Sequence, residues 1–141
     1  MLGRTVLALS VVVLLAWSGA APVLVPVLAK DCSQQDFTHE AREDAVRKAP
    51  SCREALDVME ACAYTATGDV SLGEIVREKC EAGFLAKLSK AQRKTYDRAI
   101  KHCDDKYKNE SGTMYRSFSA FCRATLARDT AAKFARVPPR R

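Results

Sequence analysis

Catalytic signatures are missing from this sequence. It contains no G-x-S-x-G, H-E-x-x-H, P-loop or dinucleotide fingerprint, and so lacks the local marks of the hydrolases, zinc proteases and nucleotide-dependent enzymes that carry them. Histidine is scarce: His39 and His102 are the only two. No C-x-x-C pair accompanies them, so zinc-type ligand spacing is absent and no cofactor or metal is expected. Five prolines and six glycines in 141 residues exclude collagen-like and low-complexity architectures. No alternating β-branched run announces a strand. The length leaves room for one domain, with or without a targeting segment, and excludes a multidomain enzyme.

What is present begins with an address. Met1 and Arg4 supply a positive start, Val6 to Trp17 is almost wholly apolar, and Ser18-Gly19-Ala20 offers small residues. That order of charge, apolar core and small residues is the pattern of a secretory signal. A second cleavage point follows Ala29, and it is preferred because the polar chain begins only at Lys30. The alternative is an uncleaved anchor, since residues 5–29 carry no charge and suffice to span a bilayer. Pro22 and Pro26 weaken that alternative. Either way the remainder leaves the cytosol, because the positive end stays inside. Lipidation at Cys32 is rejected, as Lys30-Asp31 occupy the places where small uncharged residues are needed. The expected organisation is a signal or anchor at 1–29 and a single domain at 30–141, its last residues 137–141 a frayed tail. The expected location is periplasmic or secreted.

Cys32, Cys52, Cys62, Cys80, Cys103 and Cys122 form an even set. In an oxidising compartment this reads as a three-disulfide framework. The segments between them read as helices at 36–48, 52–64, 72–88, 90–108 and 114–136. Ser51-Cys-Arg-Glu54, Ser71-Leu-Gly-Glu74 and Ser89-Lys-Ala-Gln92 each fit the capping box that opens a helix, and 109–112 reads as a turn. The expected fold is therefore all-α: a small disulfide-stapled bundle of four to five helices built from antiparallel hairpins. Helix geometry narrows the fifteen formal pairings. Cys52 and Cys62, ten residues apart on one helix, are separated by about 15 Å along its axis and cannot join. Cys103 and Cys122 meet across an antiparallel hairpin. A returning second helix brings Cys62 to Cys32, which leaves Cys52 for Cys80.

The fourth segment divides most clearly by face. Gln92, Tyr96, Ala99, Ile100, Cys103 and Tyr107 share one side, while Lys90, Lys94, Arg98, Lys101 and Lys108 fall within roughly 80° on the other. Asp97 and Asp105 interrupt that stripe. A solvated lysine-rich surface accounts for it; a footprint for an anionic partner is the functional alternative. His39 is expected on an exposed helix surface, beside ordinary ion pairs of Glu40, Glu43 and Asp44 with Arg42 and Arg47. Asn109-Glu110-Ser111 fits the N-glycosylation pattern.

The run Leu88-Ser-Lys-Ala-Gln-Arg93 followed by Cys103 resembles the LprI-like family of exported bacterial proteins, some of them described as lysozyme inhibitors. Gln92 and Cys103 stand at the family's spacing, as do Gly112-Thr113 and Cys122 beyond the turn. Upstream, Met59-Glu-Ala-Cys62 resembles its Met-x-x-Cys, and Asp69-x-x-Leu72 its Asp-x-x-Leu. The likeness covers 59–126. Thr95 stands where the family tends to have tryptophan, Arg98-Ala99 where it has Tyr-Arg, and Gly73 where it has Asn. The resemblance implies an envelope binding protein with lysozyme as a partner. Because net positive charge repels a basic lysozyme at long range, inhibition needs either a local acidic patch, for which Glu74, Glu78 and Glu81 are the candidates, or a side chain plugged into the catalytic cleft. The alternative is a structural or anion-associating periplasmic protein whose cationic helix face meets acidic envelope polymers. No nucleic acid is expected, since export and paired cysteines point away from that compartment.

Overall fold

The computed structural model describes residues 32, 38–64 and 66–136; the expected signal segment and tail lie outside them. Five α-helices follow one another: α1 (His39–Lys48), α2 (Cys52–Cys62), α3 (Gly68–Glu81), α4 (Lys90–Asp105) and α5 (Thr113–Arg136), with one 3-10 turn at Leu85–Lys87 before α4. No strand occurs among the described residues. The protein is an all-α bundle crosslinked by Cys32–Cys62, Cys52–Cys80 and Cys103–Cys122, with Cα separations of 5.0, 4.8 and 5.6 Å. These are the pairs expected from antiparallel hairpins once helix rise excludes Cys52–Cys62.

Helix ends follow local chemistry where nothing distant competes. Ser89 caps α4 through a complete capping box with Gln92. At α2 only half a box forms: Ser51 accepts from the Glu54 backbone N–H, while Glu54 Oε2 takes the Ser51 hydroxyl at 2.6 Å. The start of α3 expected at Leu72, with Ser71 as its cap, is wrong by just over a turn. The helix begins at Gly68, so Ser71 lies within it. The cause is Asp69, 2 % exposed, whose carboxylate accepts from the backbone N–H of Tyr64 (3.1 Å) and Ala66 (3.0 Å) and from the Ser117 hydroxyl (2.6 Å). That carboxylate gathers the α2–α3 loop, α3 and α5 at one point. The far end of α3 also falls short of the expected 88: the helix stops at Glu81, and residues 82–84 turn the chain toward the 3-10 turn.

Consecutive helices run antiparallel, as the bridge from the start of α2 to the end of α3 and the one across α4–α5 require. The helix in the middle, α3, also has two parallel neighbours. Ser71 meets His39 and Lys79 meets the Arg47 carbonyl, so α1 runs alongside it. Asp69 meets Ser117 and Gly73 meets Ala120, so α5 does too. The core between them is Val46, Leu56, Met59, Leu72, Val76 and the small side chains Ala120, Ala124 and Ala127. α4 stands outside this body and packs on α5. Phe84 anchors the approach to it, edge-on to Tyr96 at 5.2 Å and stacked on Phe134 at 5.7 Å.

α3 and α5 approach closely at Gly73. A Cβ there would come within 2.9 Å of Ala120 Cβ and 3.1 Å of the Ala120 carbonyl oxygen. Backbone cannot yield as a flexible side chain can, so Gly73→Ala is expected to destabilise the fold by about 1–3 kcal/mol, read from urea unfolding midpoints. An unchanged midpoint would mean that α3 and α5 separate freely. Cys103→Ala is expected to leave Cys122 as the single reactive thiol, and peptide mapping that finds another cysteine free would refute the crosslinking.

Candidate functional site

The structure separates the predicted cationic stripe into two places. Lys90, Lys94, Arg98 and Lys101 line one shallow groove of about 560 Å3 on the outer face of α4, with Leu85 and Leu88 beside them. Lys108 does not join them. α4 ends at Asp105, and Lys108 lies past that end in a different cleft, with Tyr107, Tyr115 and Arg123. Its place is taken by Arg93, which the stripe as read from the sequence omits. Within the groove Arg93 bonds to Asp97 at 2.9 Å, and Lys101 bonds to Asp105 at 2.6 Å. That second pair holds the Asp105 carboxyl below its ordinary value. Lys90 and Lys94 are exposed and meet no carboxylate among the described residues. Gln92, expected on the packed face, is exposed and spends its side-chain oxygen on the Ser89 N–H.

The acidic patch expected on α3 is not available to a partner. Arg77 bonds to Glu74 and takes Glu81 through one guanidinium nitrogen at 2.7 and 2.9 Å. Glu81 is buried and also accepts from the Tyr96 hydroxyl at 2.9 Å. Burial, and then this carboxylate, push the Tyr96 phenol well above its ordinary range. Arg77 lowers the Glu74 carboxyl, and Glu74 followed by Glu81 keeps the Arg77 guanidinium protonated. Only Glu78 of the three acids remains exposed. The network fastens α3 to α4; Glu81 is internal, and Glu74, partly exposed, is paired with Arg77.

His39 is not a bystander on an open helix face. Its Nε2 lies 2.8 Å from Ser71 Oγ and 3.1 Å from Glu43 Oε1. A nucleophile–base–acid relay needs the carboxylate on the opposite ring nitrogen, so that one nitrogen accepts while the other donates. Here Ser71 and Glu43 compete for the same nitrogen, and the Ser71 hydroxyl also reaches the Gly68 carbonyl at 3.1 Å. The cluster ties α1 to α3. Sequence spacing gives no hint of it, because 32 residues separate His39 from Ser71. Among the described residues no group of three His, Cys, Asp or Glu side chains converges to hold a metal ion, and no helix is long and apolar enough to cross a membrane.

Comparison with family profiles, curated proteins and solved structures finds no match.

The Glu74 carboxyl titrates lower in the folded chain than in the unfolded one. Its pairing therefore contributes fully above the ordinary glutamate value and is lost as pH falls through the lower folded value. Arg77→Gln is expected to cost about 2 kcal/mol at neutral pH, discounted because the guanidinium is partly exposed. Part of the acid-induced loss of stability over the carboxylate range should disappear in the same variant. Parallel urea titrations of both proteins across that range check the sign, and identical pH profiles would contradict it.

Proposed function

We propose that this chain is an exported bacterial envelope binding protein, without enzymatic activity, that associates with anionic envelope polymers through the outer face of α4. The observation that carries the reading is the gathering of Lys90, Arg93, Lys94, Arg98 and Lys101 on one groove, with Asp97 the single acid lining it. Spaced cations along a helix present a row of positive potential, which suits a linear polyanion better than a compact ligand. The order of positive start, apolar core and small residues in the sequence of 1–29 supports export, with the periplasm as the compartment. The three disulfides fit an oxidising compartment of that kind.

Lysozyme, the partner implied by the resemblance, is a weaker fit. A net charge of +6, reduced to +5 once 1–29 with its lone Arg4 is removed, repels a basic enzyme at long range. Two of the three acids that would offset this on α3, Glu74 and Glu81, are committed to Arg77, which leaves Glu78 alone. The polymer reading needs no such offset.

Titration of the oxidised protein with long-chain polyphosphate, at low and moderate salt, tests the proposal. Binding should weaken steeply as salt screens the exposed charges. Each basic residue facing an anionic surface contributes about 1 kcal/mol, and Lys101 less because of Asp105. Replacing Lys90, Lys94 and Lys101 together by glutamine should then cost about 2 kcal/mol, on the order of thirtyfold in affinity. Binding unaffected by salt and by these substitutions would overturn the reading. Stoichiometric inhibition of a lysozyme that survives moderate salt would replace it.

A further inference from the structure

The opposite side of α4 carries a second groove, closed by α5. Leu88, Ala91 and Ala99 form one wall and Leu126 and Phe134 the other, around a volume of about 440 Å3. That is within the size range of small-molecule sites. The polar side chains along it are already spent within the protein. Thr95 donates to the Ala91 carbonyl at 3.1 Å and Thr130 to the Leu126 carbonyl at 2.8 Å. Tyr96 donates to Glu81 at 2.9 Å, and the Gln92 oxygen accepts from Ser89 at 2.9 Å. A ligand therefore meets methyl, methylene and ring surface with few polar groups asking for partners.

Charge appears only at the lip. Lys133, exposed on α5, is the one charged residue lining the groove among the described residues. Arg98 Nη2 lies 3.4 Å from Thr95 Oγ1, which sets the guanidinium at the other edge. Among the described residues no carboxylate lines the groove. An apolar trough with cations on its rim is complementary to one kind of molecule: an apolar chain that ends in negative charge.

We propose that the α4–α5 groove binds the single acyl chain of an anionic amphiphile, with its headgroup held at the rim by Arg98 and Lys133. The site shares Leu88 and Arg98 with the edge of the outer cationic face but is otherwise built of other residues, and it does not require polymer binding. Burial of chain methylenes supplies affinity, and the two cations choose the sign of the headgroup.

Calorimetric titration of the oxidised protein with dodecanoate and with dodecyltrimethylammonium, both below micelle formation, tests this. The anion should bind, and the cation of equal chain length should bind roughly tenfold more weakly or worse, the size expected of two exposed charges. Thr95→Trp fills the trough from an exposed position and should abolish binding while thermal melting shows an intact fold. Arg98→Glu with Lys133→Glu leaves the trough open and should reverse the preference between the two amphiphiles. The triple glutamine variant at Lys90, Lys94 and Lys101 should bind dodecanoate normally even as it loses polyphosphate, so the two sites fail separately. Equal affinity for both amphiphiles, undiminished binding to the Thr95→Trp protein, or self-association through this groove in place of dodecanoate binding would each overturn the proposal.

Discussion

The parallel contact between α3 and α5 is the constraint from which the rest of the arrangement follows. It exists because Gly73 offers no side chain at the crossing and Ser117, Ala120, Ala124 and Ala127 line the facing surface with small ones. Close helix axes multiply weak dispersion contacts, each worth little alone. Larger residues along that stripe would force the axes apart and expose Leu72 and Val76. The contact also needs a register, and Asp69 supplies it by accepting the Ser117 hydroxyl while holding the α2–α3 loop. A buried carboxylate with three donors is tolerable where a lone one is not.

With α3 enclosed by α1, α2 and α5, α4 is left to pack on α5 from outside. Such a helix has little apolar surface to bury and needs other fasteners. Among them are the Cys103–Cys122 bridge, the Tyr96–Glu81 hydrogen bond, Tyr96 against Phe84 and, toward its C-terminal end, the Arg123–Asp104 ion pair and the Ser119 hydroxyl on the Cys103 carbonyl. The outer face at Lys90, Lys94 and Lys101 carries none of them and stays exposed. Both surfaces proposed to bind ligands lie on this helix for that reason. The same fasteners explain the missing acidic patch, since Glu81 serves α4 and Glu74 serves Arg77.

Much of the scaffold was legible in the sequence because it is set by short-range rules. The Ser89 box involves four successive residues, and the separation of Cys52 from Cys62 is fixed by helix rise alone. The parts that were not legible depend on partners far along the chain. Ser71-Leu-Gly-Glu74 has the letters of a cap, yet Asp69 moves the helix start upstream through bonds to the preceding loop and to Ser117, 48 residues away. His39 reads as solvated until Ser71 arrives beside it. Lys108 belongs to the stripe only if α4 continues to 108, and it stops at Asp105. Small residues in α5 are individually uninformative; their meaning appears only when Gly73 is placed opposite.

The residues that carry the resemblance to the LprI-like proteins have scaffold positions here. Met59 and Leu72 are buried, Asp69 holds the loop, and Gln92 completes a cap. Gly112 turns the chain at φ +115°, a conformation that side chains disfavour, and three of the cysteines quoted close bridges. Such a pattern can report how a chain is stapled while saying little about what its surface meets. The surfaces that matter on α4 are drawn from other residues: Lys90, Lys94 and Lys101 outside, Ala91, Thr95 and Ala99 toward α5. A helix held by one face can vary its other faces at little cost to folding, because substitutions there remove neither a crosslink nor a buried contact. The proposed ligand contacts on α4 thus fall on residues other than Tyr96 and Cys103, which hold it to the bundle.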